Sequence, residues 1–435
     1  METTLFYNCR ALRMDEADTL LEGAYVAVEG DKISSVGTQR PQGDFDREID
    51  CKNNVLMPGL VNAHAHTSMA VLRGYADDYP LKTWLFEKVF PAEARLDERA
   101  VLAGARLGFA EQLCTGTTSI SDMYYHEPAI AQLALEVGMR VSLCNAVVAL
   151  SPDWSMETDR GVQETLVLAR EYQGAGDGLV QAEASIHGEY TSNPRVWAQV
   201  AELAQRYDLG IQLHLSETRE EHQEALSRNQ GKTPAQALAA AGVFEGRVTA
   251  AHCVWVSQED MALLAEKGAT AVHCPVSNLK LGSGMADVAA LRQAGVNVAL
   301  GTDGCCSNNT HDLFEEIKLA ALLAKGQHFD PTVLSAYDVL KMATVNGARA
   351  QGRLDVGQVA EGMRADLILL DLDHPTTRPS YDPLGAVAYS ATGRSVTLTM
   401  VQGRILYENG AFTTIDLEQA YQEAEGYAKP LVLEV

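Results

Sequence analysis

Apolar positions are arranged in two different ways along the chain. Between about residues 55 and 349, short apolar or β-branched runs alternate with longer Ala/Leu/Glu-rich stretches. The short runs are NVLMPGLVNAH, TGTTSISDMYY, RVSLCNAVV, LVQAEASIH, IQLHLSE, RVTAAHCVW, TAVHCPVS and NVALGTDG. The longer stretches, such as DERAVLAGARLGFAEQL, PRVWAQVAELAQRY and TPAQALAAAG, carry helical spacing. Strand–helix alternation argues for parallel strands joined by right-handed crossovers. Eight such units predict a closed (β/α)8 barrel of the TIM type over residues 57–358. An open doubly wound sheet is the competing architecture, but no G-x-G-x-x-G turn follows the first strand. The two ends read differently. Residues 1–56 show short alternating strands around turns, as in AYVAVEGDKISSVG. Residues 359–435 repeat that style in ADLILLDLD and SVTLTMVQGRILYENG, followed by a polar helical tail. The expectation is a small β-sandwich built from both chain ends beside the barrel.

Composition narrows the function classes. The 435 residues are 46% hydrophobic and 21% charged, enough apolar material for a large core. The net charge of −24 opposes binding to nucleic acid or to an anionic membrane surface, so a small-molecule substrate is expected. The eight cysteines form no C-x-x-C pair, and Cys305 and Cys306 are adjacent, which points to thiols in a reducing, cytoplasmic compartment. The first residues lack a basic start followed by an apolar run, and no uncharged apolar stretch is long enough to span a bilayer. Large barrels often associate, so a homo-oligomer is allowed for.

The candidate chemistry lies at strand ends. His64 and His66 flank Ala65 at the end of the first barrel run, and i and i+2 share a face of a strand. Both imidazoles would face the C-terminal mouth of the barrel, where barrel active sites lie. A lone H-x-H is weak, since two histidines on a turn would look the same. His214 closes the fifth run, His252 the sixth and Asp303 the eighth. Any one of these could be a hydrogen-bonded core residue. Four histidines and an aspartate at the strand ends of one barrel favour a metal site, zinc above all. Glu217 follows His214 by three residues. The chain must turn after Leu215 for this carboxylate to lean over the pocket and shuttle protons; Glu220 and Glu221 better suit a helix N-terminus. His187 ends the fourth run and should face the same pocket. His187-Gly188-Glu189 matches half of the cytidine-deaminase zinc signature, but no P-C-x-x-C follows. His273 and His311 are candidates only for supporting roles.

The stretch PGLVNAHAHTSMAVLRGYADDYPLKTWL resembles the amidohydrolase superfamily. The likeness continues through LHLSETREE, AHCVW, HCPVSNLKLGSG, GTDGCCSNNTHDLFEEI and EGMRADLILLD, nearly the whole chain. WLFEKVFPAEARL makes it most similar to the 5′-methylthioadenosine/S-adenosylhomocysteine deaminase family. That resemblance implies one divalent ion, usually Zn2+ with Fe2+ or Mn2+ as alternatives, held by His64, His66, His214 and Asp303. His252 would polarise the attacking water, Glu217 would move the proton and Asp303 would assist. Glu93 would accept ribose hydroxyls, Trp84 would pack on the substrate and His187 would contact a purine nitrogen. Relatives with two metals use a lysine at the end of the fourth strand; LVQAEASIHGEY has none.

Family members that handle S-adenosylhomocysteine can clamp its carboxylate with arginines after the third strand. Here that stretch reads NAVVALSPDWSMETDRGVQE. Only Arg160 lies near an expected position, and Leu150, Pro152 and Trp154 make the loop apolar. The expected reaction is therefore hydrolytic deamination of a nucleoside, with 5′-methylthioadenosine preferred. Competing readings are a hydrolase of the same branch acting on a triazine, guanine or pterin-like base, and a non-enzymatic barrel that has lost its metal.

Overall fold

Gly59 is where the chain changes sheets. The single run NVLMPGLVNAH forms two strands in the computed structural model, which describes residues 2–17 and 19–433. Val55–Pro58 joins a sheet built from the chain ends, and Leu60–His66 opens the barrel. A Cβ on Gly59 would come within 2.1 Å of the Thr118 side chain, so only glycine permits the crossing.

The barrel strands pair in parallel in chain order: Leu60–His66, Thr117–Met123, Arg140–Cys144, Val180–Gly188, Gly210–Leu215, Val248–His252, Thr270–His273 and Asn297–Leu300. Each sequence-predicted run thus forms a barrel strand. After Leu300 the chain bends, and Asp303–Gly304 pairs with the first strand to close the cylinder. Asp303 therefore sits on the closing seam, beside Ala65 between the two histidines. The predicted helices form at Glu98–Cys114, Pro194–Tyr207 and Pro234–Ala240, each with its N-cap side chain (Asp97, Asn193, Thr233) accepting from the first turn.

The two ends of the chain meet in one nine-stranded sheet. Val55–Pro58 pairs in parallel with Thr3–Leu12 and antiparallel with Leu367–Leu370. Its own small core contains Phe6, Val26, Ile33, Leu56, Leu367 and Met400. Arg140, on the third barrel strand, donates to both oxygens of Asp366 at 2.6 and 3.0 Å, and both side chains are buried. Removing either partner would strand a buried charge, a loss of about 3–5 kcal/mol. The C-terminal helical tail leaves this sheet and packs on the barrel: Arg95 donates to the Leu431 carbonyl at 2.9 Å, and Arg99 lies over the Tyr427 ring. Among the described residues, no helix is long and apolar enough to cross a membrane.

Candidate active site

The strand ends bring six of the expected residues into one cleft of about 610 Å3. The His64 ring centroid lies 4.9 Å from His66, 5.0 Å from His214 and 5.7 Å from His252. Asp303 Oδ1 is 3.1 Å from His66 Nε2 and 3.6 Å from His64 Nε2. Glu217 Oε2 is 3.7 Å from His252 Nε2. The fifth strand stops at Leu215 and Ser216 takes a left-handed φ of 47°, which is the turn that swings Glu217 over the pocket. Glu221 fixes that turn by accepting from the backbone N–H groups of Ser216 and Glu217 at 3.0 and 2.8 Å, and it completes a capping box with Thr218. His252 and Asp303 also hold left-handed φ angles, 72° and 61°. Non-glycine residues take this region at a cost that their surroundings must impose.

Ring orientation is fixed from behind. His66 Nδ1 donates to the Met123 carbonyl at 2.6 Å, and His214 Nδ1 donates to the His187 carbonyl at 2.6 Å. A carbonyl can only accept, so the proton of each neutral ring sits on Nδ1 and the Nε2 lone pair faces the cleft. Nε2 of His64 is buried without a hydrogen-bond partner. The ligand atoms of His64, His66 and His214 lie within 4.8 Å of one another, as do those of His64, His252 and Asp303. This nitrogen-and-carboxylate donor set fits one divalent ion. Serines 277 and 307 donate to Asp303 Oδ2 at 2.6 and 2.8 Å.

Electrostatics separate the acids. Burial would raise the Asp303 carboxyl, but the His64 and His66 rings beside it hold it well below its usual range. Burial pushes Glu217 up from the ordinary glutamate value. Burial also pushes Glu93 up to about 7, and lowers His187 to about 3 with help from the neighbouring histidines.

The segment 81–93 roofs the cleft with Leu81, Trp84, Leu85, Phe90 and Glu93, and His187 lines it from the fourth strand. Residues Trp84–Val89 wind as a π-helix. Trp84 Nε1 and Glu93 Oε1 are buried without a hydrogen-bond partner, while Tyr125 donates to Glu93 Oε2 at 3.4 Å. Phe90, Glu93, Tyr125 and Ala146 are shared with an outer cavity of about 950 Å3, lined further by Leu96, Val148, Leu150 and Arg160. Of the loop expected to be apolar, Leu150 lines this cavity. Trp154 instead donates from Nε1 to Asp159 at 2.7 Å. Arg160 is tied to Glu164 at 2.7 Å.

Other histidines stand apart. His311 is buried against Glu111 and Cys305, and His273 is buried beside His252 but does not line the cleft. Sequence reasoning missed Tyr124, Tyr125, Asn278 and Ser283. None carried a local signal: the tyrosines read as the end of a strand, and Asn278 and Ser283 lie on or beyond the helix that follows one.

Imidazole lone pairs turned inward on a buried carboxylate suit a catalytic ion rather than a structural ion pair, which is the design of a metal-dependent barrel hydrolase. The model described as the amidohydrolase family matches residues 55–406, and the chain belongs to that family, in the group of the 5-methylthioadenosine/S-adenosylhomocysteine deaminases. The chain is 41% identical over 402 residues to the 5-methylthioadenosine/S-adenosylhomocysteine deaminase of Moorella thermoacetica, covering 92% of this chain and 93% of that one. It is 39% identical to the 5′-deoxyadenosine deaminase of Methanosarcina barkeri over the full length of both. In structure it is similar to an adenosine deaminase from Xanthomonas campestris solved with bound zinc, with a TM-score of 0.92, 32% identity and 98% of each chain covered.

Proposed function

We propose that this protein hydrolytically deaminates a 5′-modified adenosine, converting the 6-amino group to a carbonyl and releasing ammonia. The observation that carries the reading is the placement of two buried glutamates in one cleft: Glu217 beside the histidine cluster and Glu93 on the roof. One can serve the base and the other the sugar. The names of the relatives support the same substrate class. His64, His66, His214 and Asp303 would hold one divalent ion, Zn2+ by preference over Fe2+ or Mn2+. When bound, the ion would supply Lewis acidity that lowers the pKa of water from ~15.7 towards ~7.

The remaining work falls to side chains. Glu217, held protonated more readily by burial, delivers a proton to the ring nitrogen beside the attacked carbon as the water oxygen adds there. Asp303 accepts the first proton that water gives up, and Glu217, now a carboxylate, takes the second from the new hydroxyl and relays it to the amine as the C–N bond breaks and the carbonyl forms. His252 orients the water from the side facing Glu217. Glu93 accepts the ribose hydroxyls, Trp84 packs on the nucleoside and His187 contacts a purine nitrogen. We further propose that the barrel within residues 57–358, from Gly59 onward, is the catalytic unit and that the sheet built from both chain ends is its platform. In support, every residue lining the cleft lies between 66 and 303. The eight free thiols fit a cytoplasmic setting.

At the 5′ end, the apolar Leu96, Val148 and Leu150 favour a methylthio group, while Arg160 is engaged by Glu164. The test is a steady-state comparison of 5′-methylthioadenosine, 5′-deoxyadenosine, adenosine, S-adenosylhomocysteine, guanine and a triazine, scored by ammonia release. The reading expects the highest kcat/KM for 5′-methylthioadenosine or 5′-deoxyadenosine. Turnover of guanine or the triazine alone would overturn it.

A further inference from the structure

The three residues assigned to water and proton handling are all held from one short stretch. Residues 275–283 comprise the helix Pro275–Lys280 and the turn after it. From it, Ser277 Oγ donates to Asp303 Oδ2 at 2.6 Å, Asn278 Oδ1 lies 2.8 Å from His252 Nδ1, and Ser283 Oγ donates to Glu217 Oε1 at 3.1 Å. All three side chains are buried and none lines the cleft. The backbone of their targets is not self-positioning: His252 and Asp303 sit at left-handed φ, and Glu217 follows a left-handed Ser216. Such residues hold one orientation only when their surroundings impose it.

We propose that Asn278 and Ser283 are positioning residues for the deamination, acting through His252 and Glu217. The proposal rests on the functional reading above. The amide oxygen of Asn278 can only accept, so it keeps the ring proton of neutral His252 on Nδ1 and turns the Nε2 lone pair towards Glu217 and the cleft. Ser283 engages one oxygen of Glu217 and leaves Oε2, the oxygen nearer His252, to exchange protons. An amide turned over at Asn278 would do the opposite. Its N–H would donate to Nδ1, and the ring proton would move to Nε2, where it would block the cleft-facing lone pair.

Zinc-loaded protein carrying ring-15N histidine tests this directly, with the His252 signals assigned by their loss in His252→Gln. The expected result is a proton on Nδ1 of His252 in the unaltered chain and a shift towards Nε2 in Asn278→Leu. Kinetically, Asn278→Leu should lower kcat about 10–100-fold and Ser283→Ala about tenfold, with KM within about twofold and one ion per chain retained. A merely structural role would lower stability or metal content without that kcat-only pattern. Should Asn278→Leu fail to fold, the tautomer of the unaltered chain and the Ser283→Ala kinetics decide the matter. A ring proton on Nε2 in the unaltered chain, or kcat within about twofold of it in both variants, would overturn the proposal. Absence of ammonia release by the unaltered chain would instead sink the functional reading and leave the tautomer result standing.

Discussion

The floor and the roof of the cleft are built by different means. On the floor, His64, His66, His214, His252 and Asp303 stand at the ends of barrel strands or on the closing seam, and hydrogen bonds from behind fix the orientation of the last four. The roof is the segment 81–93, part of it wound as a π-helix, with Phe86 exposed on its outer side. Lys82 ties it to Glu220 and Glu224 on the helix Arg219–Arg228 at 2.7 and 2.9 Å. Its inward polar atoms, Trp84 Nε1 and Glu93 Oε1, have no hydrogen-bond partner. The difference teaches a division of labour. On the proposed function, the preset floor would carry the chemistry, and the roof, whose polar atoms the substrate would satisfy, would carry the selectivity.

The largest expected break is on the floor. Asp303→Ala, or chelation of the ion, should lower kcat/KM by several kcal/mol of transition-state stabilisation, on the order of 10⁴-fold. Metal analysis should show loss of the ion in each case, and adding the ion back should restore only the chelated protein. Glu217→Gln should cost about 10²–10⁴-fold in kcat while the ion stays bound, read by ammonia release and metal content together. Near-normal turnover in that variant would remove Glu217 from the proton path.

The roof should break more gently and in KM. Glu93→Gln replaces a charged acceptor with a neutral one and should raise KM for nucleosides about 10–100-fold, with kcat little changed. The same residue predicts a pH effect. Glu93 is pushed up to about 7 by burial, with Tyr124, Tyr125 and His66 facing it. A raised carboxyl is ionised only above that value, so KM should rise roughly tenfold as pH falls from about 8 to about 6. In Glu93→Gln this part of the pH dependence should vanish. Lys82→Ala breaks an exposed ion pair and should move KM by no more than about twofold. A larger change would mean that the tie sets the position of the roof.

Floor and roof also differed in how far the sequence revealed them. His64 and His66 were legible because a strand repeats every two residues, and His214, His252 and Asp303 because each ends an apolar run. The turn at Ser216 followed from the need to bring Glu217 inward. Gly59 was not legible as a boundary: both strands it separates are apolar, and one run looks the same whether it serves one sheet or two. Tyr124 and Tyr125 read as the end of a strand, since nothing in the local pattern places them beside Glu93. The supports at Asn278 and Ser283 depend on contacts across 26 and 66 residues of chain, which no local periodicity encodes. Trp154 was expected at the 5′ pocket as part of an apolar loop, but its indole N–H is satisfied by Asp159.

The account stands most directly on titration of metal-free protein with zinc while ammonia release from 5′-methylthioadenosine is followed. The account predicts a rate that climbs linearly and levels off at one ion per chain, with no rise in His66→Ala. Full turnover before any ion is added, or a tightly held ion with no ammonia released, would contradict it.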